Sequence, residues 1–265
     1  VPSPDLYDVA ALEAALTGTI YAGKLHFSPV TDSTNSDAQA AARRGAPHGS
    51  VYFADEQLSG RGRGDHAWRS AAGDGLYVSV LLRPQLPAVH LPLLPLAVGL
   101  AVAEAIHAVA GVTVDLRWPN DLLIGPRKVG GILVEAKNAR GAVEFVVAGI
   151  GINVHQRAFD SDLAAIATSL DLEAAKRVSR QNLLAALLES LEREVSGLGD
   201  PAAETIPARV ERVSTWIRGR RVEVHGPQAC TGVTAGLDAH GFLLVRTANG
   251  LVTVQTGGIR AAEIG

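Results

Sequence analysis

The residues best suited to chemistry lie in Gly60-Arg61-Gly62-Arg63-Gly64-Asp65-His66-Ala67-Trp68. Glycine lets a backbone reach positive φ and approach a ligand with no Cβ in the way. Arginine brings a planar fork of donors for carboxylate or phosphate. Tryptophan adds a flat apolar face with one N–H. The stretch reads as a loop that closes over an anionic ligand with a flat or apolar part, or as an exposed Arg/Gly linker. A second stretch runs Arg117-Trp118-Pro119-Asn120-Asp121, then Arg127-Lys128-Val129-Gly130-Gly131-Ile132-Leu133-Val134-Glu135. Lysine is rare in this chain, occurring only at Lys24, Lys128, Lys137 and Lys176. Lys128 reads as a solvated hairpin lysine or, given the two glycines after it, as a group beside something that approaches the backbone closely. Asn120 and Asp121 form a turn, hold the metal ion of bound phosphates, or order the lysine.

A third polar cluster, Thr31-Asp32-Ser33-Thr34-Asn35, precedes an alanine-rich segment. It serves as a helix cap alone, or as a cap plus a site for a polar ligand. Two look-alikes are rejected. Gly18 to Lys24 imitates a phosphate-binding loop, but Leu25 stands where Ser or Thr is needed and a strand follows instead of a helix. Gly149-Ile150-Gly151 lacks the third glycine of a dinucleotide fingerprint.

The elements that must position these residues are legible in outline. Helical spacing is expected over 5–16, strands over 25–30, 50–56 and 75–82, and an apolar helix over 92–110 closed by Gly111. A strand over 112–118 leads to a hairpin of 121–124 and 129–135 through Gly125-Pro126, followed by a strand over 143–150. Ser179 caps a strong helix over 179–195, and a short helix falls within 205–218. Beyond it, strands over 220–224, 229–237, 242–246 and 251–255 predict a small barrel.

The chain has 265 residues, 47% of them hydrophobic and 19% charged, enough for a sizeable core. A net charge of −3 with no basic run gives no sign of nucleic acid as a partner. Cys230 is the only cysteine, so no intramolecular disulfide forms, in agreement with a reducing, cytoplasmic setting. The first residues show no signal-peptide pattern, and the apolar run near 91–103 is interrupted by Pro92 and Pro95, so no membrane span is expected.

Taken together, Asp32-Ser33-Thr34-Asn35, Gln57-x-x-Gly60-Arg61-Gly62-Arg63, Trp68, Trp118-Pro119-Asn120-Asp121, Lys128-x-x-Gly131-Ile132-Leu133-Val134-Glu135 and Gly149-x-Gly151-Ile152-Asn153 resemble the biotin protein ligases. The likeness runs from about residue 25 to the end, with the five motifs in one order. It implies a fold of α/β (strictly α+β) class, with a mixed sheet and helices mainly on one face, then a small SH3-like barrel. The implied domains are 1–215, binding biotin and ATP, and 216–265, the barrel.

The resemblance also implies a reaction. Biotin is activated by ATP to biotinyl-5′-adenylate, and biotin passes to a lysine of a biotin carboxyl carrier domain. Lys128, Arg61 and Arg63 take the catalytic roles. Ser33, Thr34, Asn35 and Gln57 face biotin, and Gly131 sits against it. Trp68 and Asn153 meet the adenine. Gly60, Gly62, Gly149 and Gly151 let ligands approach the backbone. Asn120 and Asp121 lie near the phosphates, with Asp121 as a ligand of Mg²⁺.

The loop departs from the family pattern, with Asp65 where a glycine is usual and His66 where a third basic residue is usual. About 25 residues precede the first expected strand, which suits the ligase-only type without a DNA-binding domain. A homodimer accords with the resemblance, though no sequence feature carries it. The competing readings are a lipoate ligase or acyltransferase of related fold and a non-catalytic biotin-binding regulator.

Overall fold

A computed structural model describes residues 6–64, 66–84, 87–139, 142–198 and 204–262. Asp65, one of the two departures in the loop, lies outside the described residues. In chain order the elements are α1 (Val9–Ala15), β1 (Leu25–Thr31), α2 (Thr34–Arg43), β2 (Ser50–Gln57), β3 (Gly75–Leu82), α3 (Leu93–Ala110), β4 (Asp115–Arg117), β5 (Asp121–Ile124), β6 (Arg127–Ala139) and β7 (Ala142–Asn153). There follow α4 (Leu170–Glu173), α5 (Arg180–Ser196), α6 (Ile206–Val213), β8 (Arg218–His225), β9 (Cys230–Leu237), β10 (Leu243–Thr247), β11 (Gly250–Val254) and β12 (Gly258–Ala261).

A seven-stranded mixed sheet runs in the order β1-β2-β3-β7-β6-β5-β4, with β1 and β2 parallel and the other neighbours antiparallel. Side chains alternate across a sheet, so each strand divides its residues between two faces. On β3 and β7, Leu76, Val78, Val80, Leu82, Val146, Ala148, Ile150 and Ile152 enter a large core. That core also takes Leu12 of α1, most of α3, the leucines of α5 and Val210 of α6. On the other face α2 packs through Ala38 and Ala42 against Leu81, Phe145 and Val147. Helices therefore crowd one face, as expected, and leave part of the other open for a site.

Local chemistry explains the helix ends. Gly111 closes α3 in the left-handed conformation at φ 69°, and the Ser179 side chain accepts from the Asn182 N–H at the start of α5. Among the described residues α3 is long and apolar enough to cross a membrane, but it is largely buried against the protein's own core. The rejected phosphate-loop imitation is a turn before β1, with the Lys24 ammonium donating to the carbonyls of Ile20 and His48.

The C-terminal strands form a five-stranded antiparallel sheet in the order β11-β10-β9-β8-β12. Among the described residues no ladder joins the end strands β11 and β12, so the barrel expected from the spacing is found as an open strand order. Its Val222, Val224, Leu243, Val245, Val254 and Ile259 belong to the same core as α3 and the large sheet. The expected strand over 112–118 shrinks to three residues, while β12 and α4 had no clear sequence signal.

Candidate active site

The floor of the site is a patch of glycine backbone on the face that α2 only partly covers. The register places Gly131 opposite Gly151, Leu133 opposite Gly149, Ser79 opposite Gly149, and Asp121 opposite Gly131. Each missing Cβ makes room for a specific group. A Cβ on Gly149 would meet Asn35 Oδ1 at 2.1 Å, and one on Gly151 would meet Trp68 Nε1 at 2.6 Å. On Gly131 it would lie 3.4 Å from both Lys128 Nζ and the Trp68 ring.

The start of α2 forms one wall. The Thr34 N–H donates to Gln57 Oε1 (3.0 Å), and Thr34 Oγ1 lies 3.1 Å from that oxygen and 2.7 Å from Ser79 Oγ. Ser79 donates to Asn35 Oδ1 (2.5 Å), and Asn35 Nδ2 donates to Glu135 Oε2 (2.8 Å). Gln57 Nε2 donates to Ser70 Oγ (2.8 Å). Thr34, Asn35 and Gln57 thus bond chiefly to one another and to the sheet. Ser33 occupies the cap position without a side-chain cap bond, and its hydroxyl takes no part in this network.

Lys128 closes the other end. In a regular strand, residues 128 and 131 point to opposite faces. A register shift pairs Leu122 with Gly130 but Leu123 with Lys128, making Val129 the extra residue of a bulge. The bulge brings Lys128 round to the face of Gly131. Its Nζ sits 2.5 Å from Asp121 Oδ1 and 5.6 Å from the Trp68 ring centre. The other Asp121 oxygen accepts from Arg117 Nε (3.1 Å) and its terminal nitrogen (2.7 Å). Burial alone would raise the Asp121 pKa, but Lys128 and Arg117 outweigh it and hold the carboxyl below the usual carboxylate range.

Two asparagines support this arrangement from within the protein. Asn120 Nδ2 donates to the Ile132 carbonyl (2.8 Å). Asn153 Nδ2 donates to the Thr168 carbonyl (3.0 Å), and the Thr168 N–H donates in turn to the Lys128 carbonyl (2.9 Å). Asn153 therefore steadies the segment that pairs with the Lys128 backbone.

The Gly/Arg loop lies across the patch. The Trp68 backbone N–H donates to the Gly60 carbonyl, and the Gly62 backbone N–H to the His66 carbonyl. Arg61 forms a two-pronged pair with Glu135, at 3.1 and 2.7 Å. Arg63 donates to the Gly257 carbonyl and to Thr256 Oγ1. Burial lowers the Arg63 pKa and Asp121 works against that, while an arginine remains charged near neutrality. A cleft of about 400 Å³ opens beside the loop, lined by Gly60, Arg61, Gly62, His66, Leu133 and Glu135.

Among the described residues no group of three His, Cys, Asp or Glu side chains could hold a metal ion. Asp121 already carries two cations, a poor fit to a resident Mg²⁺ site. Mg²⁺ characteristically keeps its waters and binds through one or two carboxylates plus substrate phosphates.

Sequence reasoning missed Ser79 and Ser70, and gave Glu135 no role. Ser79 did leave a signal, as the one small polar residue in the Leu76-Tyr77-Val78-Ser79-Val80-Leu81-Leu82 run.

Residues 27–153 match the Biotin/lipoate A/B protein ligase family, and residues 218–259 match the Biotin protein ligase C terminal domain. Among known proteins, the chain is 31% identical to the bifunctional ligase/repressor BirA of Bacillus spizizenii, covering 98% of this chain and 80% of that one. It is 34% identical to the biotin–[acetyl-CoA-carboxylase] ligase of Mycobacterium tuberculosis, over 86% and 85% of the two chains. Its fold superposes on the biotin protein ligase of Aquifex aeolicus in complex with biotin and ATP, with a TM-score of 0.78 and 28% identity, over 90% and 98% of the chains. The chain belongs to the biotin protein ligase family.

Proposed function

We propose that this enzyme activates biotin with ATP and transfers it to a lysine of a biotin carboxyl carrier domain of a carboxylase. The observation that carries this reading is the convergence of Lys128, Trp68 and the Arg61/Arg63 loop on the bare backbone of Gly131 and Gly151. The match of residues 218–259 to a biotin ligase C-terminal domain supports biotin over lipoate.

In the first step a biotin carboxylate oxygen attacks the α-phosphorus of ATP. The bond from that phosphorus to the bridging oxygen breaks, and pyrophosphate leaves with the electron pair. Two anions must meet, so cationic donors have to offset repulsion and developing charge. Lys128 reaches the carboxylate and α-phosphate, with Asp121 orienting its ammonium. Arg61 and Arg63 serve the phosphates, and Gly60 and Gly62 let the loop backbone come close. In the second step the carrier amine attacks the biotinyl carbonyl carbon, the carbon–oxygen bond to AMP breaks, and the amine's proton passes to solvent.

Ser33, Thr34, Asn35 and Gln57 form the biotin wall in this reading. Ser33 offers the hydroxyl its neighbours do not use, and the others keep the wall's shape. Trp68 supplies the flat surface for adenine, Asn153 and Asn120 brace the segments around it, and Gly149 leaves room for Asn35. Mg²⁺ enters with ATP as part of the substrate, its phosphates the main ligands.

Residues 1–215 form the catalytic unit and 216–265 the C-terminal unit. The lone Cys230 suits a reducing, cytoplasmic setting. The mildly acidic charge speaks against DNA as a partner, and a homodimer is left to a sedimentation measurement. The deciding experiment mixes the protein with MgATP and either biotin or lipoate. Pyrophosphate release and a biotinyl-adenylate mass with biotin alone are expected; activity with lipoate alone would reverse the assignment.

A further inference from the structure

The two loop arginines are held in electrostatically different ways. Arg61 faces the Glu135 carboxylate at 2.7 Å, so its charge is matched by an opposite one. Arg63 meets neutral acceptors, the Gly257 carbonyl and Thr256 Oγ1, the latter at 2.9 Å. Both belong to the turn between β11 and β12, in the C-terminal sheet. A neutral acceptor aims a guanidinium without cancelling its charge, which stays available to an anion.

The turn itself is braced. Gln228 accepts from the Gln255 N–H (2.7 Å) and donates to the Thr253 carbonyl (2.8 Å). Gly257 has φ 122°, and a Cβ there would meet the His225 carbonyl oxygen at 2.0 Å. Only glycine fits, so the acceptor carbonyl has a fixed place.

With the adenylating function above taken as given, we propose that Thr256 and Gly257 are positioning residues of that site: the C-terminal sheet aims Arg63 at the phosphates of ATP. An arginine ordered beforehand loses less side-chain freedom when it grips its ligand. The benefit falls on nucleotide binding more than on turnover.

The test uses Thr256→Val, which removes an exposed hydroxyl and keeps the β-branched shape, with Thr256→Ser as the conservative restoration. Wild-type pyrophosphate release is measured first; an inactive wild type overturns the site reading and this inference with it. In Thr256→Val the KM for ATP is expected to rise about three- to tenfold, as for one lost hydrogen bond to a charged group, with kcat changing less and Thr256→Ser near wild type. In an Arg63→Ala background, Thr256→Val should add nothing. In the ligand-free protein, phenylglyoxal should modify Arg63 faster in Thr256→Val, as read by peptide mass mapping. An unchanged KM, an equal effect without Arg63, or unchanged labelling of Arg63 would overturn the proposal.

Discussion

The Trp68 indole occupies the space that a side chain at position 151 would need: a Cβ on Gly151 would stand 2.6 Å from Nε1. That nitrogen is buried and has no hydrogen-bond partner among the described residues. An unsatisfied buried donor costs about 1–3 kcal/mol, so a ligand that accepts from it, or moves the ring, relieves that cost. Gly151→Ala is expected to displace the indole while the sheet persists. Tryptophan emission should then shift in the ligand-free protein, and biotin-dependent pyrophosphate release should fall by about tenfold or more. An alanine variant with unchanged emission and full activity would show that the ring does not rest on this glycine.

Lys128→Ala should leave the fold intact and cut adenylate formation by roughly ten- to a hundredfold. That is the effect of losing one charge-assisted contact of about 1.5–3 kcal/mol. Pyrophosphate release by the purified, folded variant is the measurement. A wild-type rate would remove Lys128 from the reaction.

Gly149→Ala should destabilise the protein by about 1–3 kcal/mol through overpacking. The new methyl would meet Asn35 Oδ1 at 2.1 Å, between β7 and the start of α2. Urea denaturation reads this directly, and a variant as stable as wild type would contradict the placement of Asn35.

The Lys128–Asp121–Arg117 group predicts a pH dependence of stability. The folded Asp121 carboxyl is held below its ordinary range, so the unfolded chain binds its proton more readily. The associated stabilisation is complete above the unfolded carboxylate pKa of about 3.9 and is lost as pH falls through the lower folded value. The stability gap between wild type and Asp121→Asn should stay level from about pH 5 to 8 and shrink below about pH 4. Denaturant titrations at several pH values test it; a gap that widened in acid would have the sign wrong.

Much of the scaffold was legible because its signals are local. The apolar period of α3 ends where Gly111 can take a positive φ, and β3 keeps the 75–82 bounds expected from its composition. The loop arginines, Trp68 and Lys128 stood out by residue type and spacing. The roles of Thr34, Asn35 and Gln57 were harder to read, because a polar side chain satisfies its hydrogen bonds with whatever the fold brings near. Here those partners are Ser79, Glu135 and Ser70, each distant from its partner in sequence.

By itself the sequence determined which groups the chain carries, the order of its motifs and most elements that hold them, since periodicity, caps and turn residues act over a few positions. Only the tertiary structure decided which way those groups point and what they touch. Strict alternation would have turned Lys128 away from Gly131, and the bulge at Val129 reverses that by adding one residue to β6. Likewise, nothing near Arg63 in the chain announces Thr256 and Gly257. Their contact exists because the C-terminal sheet shares a core with α3 and the large sheet, and burial of apolar surface acts without regard to sequence separation.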